Sequence, residues 1–82
     1  MKEALLKSLN LDKNDDWDAA HSVVQNMQHP LAYWIHAYLH RKEPDLNNAA
    51  YWYSRAGKSM PEYSLKKERK EIFDFISSKE TL

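Results

Sequence analysis

The chain reads as an all-α protein, a compact four- to five-helix antiparallel bundle containing a tetratricopeptide-like helical hairpin. Three observations lead there. Good helix formers (Ala, Leu, Lys, Glu) are abundant, while a single glycine and three prolines interrupt 82 residues. Apolar side chains recur at three- and four-residue spacing in segment after segment. The connections between those segments are short, which makes neighbouring helices antiparallel. The length is that of one domain, residues 1–82.

The elements follow in order. Residues 2–10 form a short helix with Leu5, Leu6 and Leu9 on one side, and the polar stretch from Asn10 to Asp16 ends it. Asn14 is the expected cap of a second helix, with Asp15 and Asp16 set against the positive end of its dipole. That helix runs to about Met27 and aligns Trp17, Ala20, Val24 and Met27. Pro30 opens a third helix at the position where its missing N–H is harmless. From Leu31 to Leu39 the residues are apolar or aromatic nearly all round, His36 excepted, so this helix is expected at the centre. Pro44 stops it. Asp45 caps a fourth helix, Leu46 to Ala56, that turns Ala49, Trp52, Tyr53 and Ala56 inward before Gly57 supplies a left-handed stop. Ser64 caps the last helix, 64–78, with Leu65, Ile72, Phe73 and Ile76 as its stripe. The middle, 15–57, is the core, because six of the ten aromatics (Tyr33, Trp34, Tyr38, Tyr51, Trp52 and Tyr53) fall within the twenty-one residues 33–53.

Composition narrows the function. Twelve Lys plus Arg balance twelve Asp plus Glu, a net charge of zero that speaks against a nucleic-acid binder and against an anionic-membrane binder. With no cysteine, disulfides, thiolate catalysis and cysteine-zinc sites are excluded. No apolar run is long enough for a membrane span, and the N-terminus does not read as a secretory signal, so a cytoplasmic setting is expected. One glycine cannot build a phosphate-cradling loop, and no serine sits on a nucleophile elbow. Charges are nonetheless uneven. Residues 55–70 carry Arg55, Lys58, Lys66, Lys67, Arg69 and Lys70, and 12–18 carry Asp12, Asp15, Asp16 and Asp18. The simplest account is a solvated helix face; a basic patch for an acidic partner or nucleic acid, and a homodimer joining the acidic loop to the basic end, are the other uses.

The segment Asn48-Ala49-Ala50-Tyr51-Trp52-Tyr53-Ser54-Arg55-Ala56-Gly57, following the turn Glu43-Pro44-Asp45, resembles the second helix of a Sel-type, tetratricopeptide-like repeat. There the resemblance places small alanines and a Trp-Tyr pair where paired helices meet. One hairpin is present, whereas a stacked array needs about three repeats. A wider likeness runs from Trp17 to Ile76. The phrases Asp16-Trp17-Asp18-Ala19-Ala20-His21, Trp34-Ile35-His36-Ala37-Tyr38-Leu39-His40-Arg41 and Tyr51-Trp52-Tyr53 with Arg55-Ala56-Gly57 resemble a small family of uncharacterised, mostly bacterial proteins. That resemblance implies an all-helical domain and brings no activity with it.

Three successive helices carry a polar pair one turn apart: His21 and Gln25, His36 and His40, Tyr51 and Arg55. Folded about Pro44, the hairpin sets His40 roughly level with Ala49 to Trp52 and His36 with Tyr53 to Ala56. The expected site is therefore a groove of His21, His36, His40, Tyr51 and Arg55, walled by Trp17 and Trp34. Imidazoles, a phenol and a guanidinium suit a small anionic ligand or a protein partner. A bland alternative is polar packing, with Arg41 or Arg55 closing a helix junction against Glu43, Asp18 or Asp45. Two imidazoles four apart also grip a metal ion, with His21 or Glu43 as a third ligand, but the HExxH pattern is absent and no metal or cofactor is assigned. The expectation is thus a binding protein rather than an enzyme. The alternative is a small hydrolase or isomerase using His36 or His40 as general base.

Overall fold

Helix α1 spans Lys2–Lys13, α2 Trp17–Val24, α3 Pro30–Lys42, α4 Leu46–Ala56 and α5 Leu65–Ser77 in the computed structural model, which describes residues 1–82. There is no strand, and no helix is long and apolar enough to cross a membrane. The largely apolar stretch of α3 does become the centre: this helix touches all four others, whereas α4 lies mainly against α3 and reaches α5 through Tyr53. Leu31, Ala32 and every residue from Trp34 to His40 are buried. His29 caps α3 by accepting the Leu31 N–H on its Nδ1, and Pro30 follows in the first turn.

The first junction differs from the sequence expectation. Residues 10–13 are not a break but the last turn of α1, because Asp12 is fully buried and bonded to α3. The chain turns instead at Asp15, in the left-handed region with φ 63°. Asp16, not Asn14, caps α2, accepting the Ala19 N–H at 3.2 Å. Asn14 folds back so that its Nδ2 donates to the Asn10 carbonyl. Helix α2 also ends earlier than expected, at Val24, with Met27 in the turn beyond and half-buried against the core.

Helix α4 has the expected bounds, with Asp45 accepting the Asn48 N–H and Gly57 at φ 72°. Ala49 and Tyr53 are buried and Trp52 and Ala56 half-buried against α3, but Tyr51 is 55 % exposed on the far side, so it is not a core aromatic. In α5 the inward row is Glu68, Ile72 and Ile76 at four-residue spacing. Phe73 lies one position off that row and is 39 % exposed.

Two buried carboxylates tie the outer helices to α3. Asp12 of α1 accepts from the Tyr38 hydroxyl at 2.5 Å and from Lys42 at 2.8 Å, with Arg69 at 4.0 Å. Glu68 of α5 accepts from Trp34 Nε1 at 3.1 Å, Arg41 at 2.8 Å and the Tyr53 hydroxyl at 2.6 Å. Arg41 thus pairs with Glu68 rather than with the carboxylates nearer to it in sequence. Burial, followed by the hydrogen bond to the carboxylate, raises the pKa of both tyrosines well above its usual value.

Candidate metal centre

Helices α2 and α3 pack together, and His21 of α2 meets the His36 and His40 pair of α3 at that contact. His36 and His40 stand one turn apart on the buried centre of α3 and are 4 % and 6 % exposed. His21 projects from α2 onto them. Its Nε2 is 3.1 Å from His36 Nε2, which is in turn 3.1 Å from His40 Nε2. Each ring offers a nitrogen to this cluster, and the three nitrogens all lie within 4.8 Å of one another.

The outer nitrogens fix the ring orientations. His40 Nδ1 is 2.5 Å from Glu43 Oε1, on the turn that closes α3. Its Nδ1–H donates to that carboxylate, which leaves Nε2 as the atom facing the cluster. Trp17 stacks on His21 with centroids 4.8 Å apart and planes at 10°, and meets His40 edge-on at 5.7 Å. Its Nε1 donates to the Leu39 carbonyl at 2.7 Å, which locks the indole to α3. On the other side Trp52 of α4 stacks on His36 at 4.0 Å and 15°. Two indoles thus hold two of the imidazoles from either side.

Protons alone do not satisfy this arrangement. An imidazole nitrogen either donates or accepts along one direction, yet His36 Nε2 has a neighbouring nitrogen on each side. His36 Nδ1 is buried with no partner, so either tautomer leaves a polar atom unmatched. Charge on the rings is disfavoured as well. Burial, then His21 and His40, pulls the His36 pKa from 6.5 to about 4. Burial and His40 also lower that of His21, against the opposing pull of Glu43 and Asp18. At neutral pH these two rings are therefore uncharged, the form in which imidazole ligates metals.

The expected groove divides in two. His21, His36 and His40 come together, with Trp17 as one wall. Tyr51 and Arg55 lie beyond Trp52, on an exposed face where the Arg55 guanidinium sits 4.6 Å from the centre of the Tyr33 ring and 5.2 Å from that of Trp52. Gln25 is exposed at the end of α2. Trp34 is not a wall of the cluster: it faces α5, where it meets Glu68, Phe75 at 6.0 Å and Lys58 at 4.0 Å. The hairpin register is shifted too, with His36 level with Trp52. Trp52 is the contributor that the sequence reading did not place in the site; Glu43, which it offered as a third metal ligand, stands instead behind His40, at the i, i+3 spacing. Neither the groove between α1 and α5 nor the pocket beside Trp34 and Glu68 is lined by a histidine. Compared with family models, with curated proteins and with solved structures, the chain matches none.

Proposed function

We propose that this protein binds a single late first-row divalent cation, with zinc as the reference ion, through His21, His36 and His40. The observation that carries the reading is the convergence of three histidine nitrogens whose neighbouring Nε2 pairs are 3.1 Å apart. Zinc–nitrogen bonds of about 2.0–2.1 Å at tetrahedral angles separate ligand nitrogens by roughly 3.3–3.4 Å, close to that spacing. A cation at the shared point accepts all three lone pairs and removes the conflict among the Nε2 atoms, while His36 Nδ1 keeps its proton without a partner. All-imidazole ligation suits zinc, copper or nickel. Glu43 then plays the part of the carboxylate behind a ligand, orienting His40 and making it more basic.

The sign of the ligand also follows from the surroundings. Glu43 and Asp18 are the charges acting on the cluster from outside it, and both favour a cation. Arg55, the group that favoured an anion in the sequence reading, lies on the other side of Trp52. Binding is better supported than catalysis, since a His36 held near 4 is a weak general base at neutral pH.

Isothermal titration of the metal-free chain with zinc tests the reading, with cobalt(II) as a spectroscopic probe of tetrahedral geometry. One equivalent should bind with a Kd below about 1 μM. Glu43→Gln should weaken binding roughly 10- to 100-fold, and His36→Ala should abolish the tight phase. Absence of tight binding, or binding indifferent to His36→Ala, refutes the proposal.

A further inference from the structure

A second feature lies between α1 and α5, away from the histidines, and does not depend on the metal reading. It is a groove of about 670 Å³ whose accessible lining is mostly carbon. Leu9 of α1 and Phe73 of α5 lie at its apolar part, where Leu9 is buried and Phe73 is 39 % exposed. Lys13 on the α1 side and Lys66, Lys67 and Lys70 on the α5 side stand around that surface, all exposed. Arg69 also lines it, close to the buried Asp12. Against these five cations the lining holds one carboxylate, Asp74, which is engaged with Lys70 at 2.6 Å. In sequence the lysines of α5 read as a solvated face. The fold adds Lys13 from 53 positions before Lys66 and encloses an apolar strip between the two walls.

A chain with no net charge that gathers five cations around a carbon-lined groove is complementary to one kind of surface: apolar side chains flanked by carboxylates. We propose that this groove docks an acidic amphipathic segment of a partner protein, seating an aromatic or aliphatic side chain on Phe73 and its carboxylates on Lys13, Lys66 and Lys67. A nucleic acid fits less well, because phosphates gain nothing from the apolar strip and Asp74 opposes them. A second copy of this chain fits less well too. Its acidic turn, Asp15 to Asp18, carries no exposed large apolar side chain to place on Phe73, since Trp17 is held against His21. An anionic membrane would meet only Phe73 and Phe75 as exposed apolar anchors on α5.

The probe is a fluorescein-labelled peptide alternating Glu with Leu and Phe, followed by anisotropy as the full chain is added. Saturable binding is expected, weakened about tenfold or more by the Lys13→Glu, Lys66→Glu pair and, separately, by Phe73→Ser. The three side chains are exposed, so these variants should keep the wild-type far-ultraviolet dichroism. No saturable binding, or binding that Phe73→Ser leaves unchanged, overturns the proposal. So does equal affinity for the peptide with Gln in place of Glu. Tighter binding of a DNA duplex or of phosphatidylglycerol vesicles than of the peptide, or self-association that the same lysine changes abolish, likewise assigns the groove to another occupant.

Discussion

Removing the Glu68 carboxylate should cost the protein a third or more of its stability, although Glu68 belongs to neither proposed site. Its side chain is fully buried and receives the Trp34 indole N–H, the Arg41 guanidinium and the Tyr53 hydroxyl. In Glu68→Leu the guanidinium, itself only 13 % exposed, loses its counter-charge, and two neutral donors lose their acceptor. Breaking a buried ion pair costs about 3–5 kcal/mol, and each stranded donor about 1–3 kcal/mol. Arg41 keeps the Tyr63 carbonyl as an acceptor, which relieves part of this. The stranded charge dominates, and with that acceptor and the apolar leucine offsetting the stranded donors the net loss should be about 4–5 kcal/mol. A domain of this length holds roughly 4–12 kcal/mol in all. Glu68→Gln keeps the shape but turns an amide N–H₂ toward donors, and should cost about 2–3 kcal/mol. Urea denaturation followed by tryptophan fluorescence measures both. A Glu68→Leu variant within about 1 kcal/mol of wild type would show that the carboxylate is not what holds α5 to α3 and α4. Adding Arg41→Met to Glu68→Leu should restore part of the loss, since the stranded charge is then gone.

Two further outcomes concern the histidine cluster. His36 titrates near 4 in the folded chain and near 6.5 when unfolded, so the unfolded state takes up the proton first as pH falls. Stability of the metal-free protein is therefore intact above the unfolded value and declines below it, by about 2–3 kcal/mol at roughly pH 4.5, with His21 acting in the same direction. Urea midpoints at neutral pH and near pH 4.5 should differ accordingly, and His36→Gln should remove most of that difference; an unchanged pH dependence in the variant contradicts the assignment. Trp52→Ala removes the ring stacked on His36, but the indole is only half-buried, so the cost should be about 2 kcal/mol rather than the roughly 3–5 kcal/mol of a fully buried tryptophan. The same variant should bind zinc more weakly, because His36 loses its support; unaltered stability and affinity together would show Trp52 to be a bystander.

Much of the helical layout was legible because it depends on local chemistry. Pro30, Asp45, Gly57 and Ser64 act within one turn of themselves, and each marks the helix end expected of it. Where the reading strayed, the deciding partner was distant in sequence. Residues 10–13 look like a polar break until Tyr38 and Lys42 supply partners for Asp12, and then they are helix. Glu68 sits in a run of charged residues that reads as a solvated face, yet its position on the row with Ile72 and Ile76 carries it into the core. Tyr51 and Phe73 are hydrophobic enough for the core but lie on the wrong side of their helices.

For the site, the sequence by itself determined that His36 and His40 share one face of a largely apolar helix, since four residues complete about one turn. It also placed His21 one turn from Trp17 on its own helix. That His21 meets the other two, that Trp52 closes over His36 while Arg55 is left outside, and that Lys13 faces the lysines of α5 were decided only by tertiary structure. Helical periodicity sets which residues point the same way on one rod. How one rod is rotated and shifted against another depends on interlocking side chains across the whole core, and here that packing brings three imidazoles from two helices to a common point.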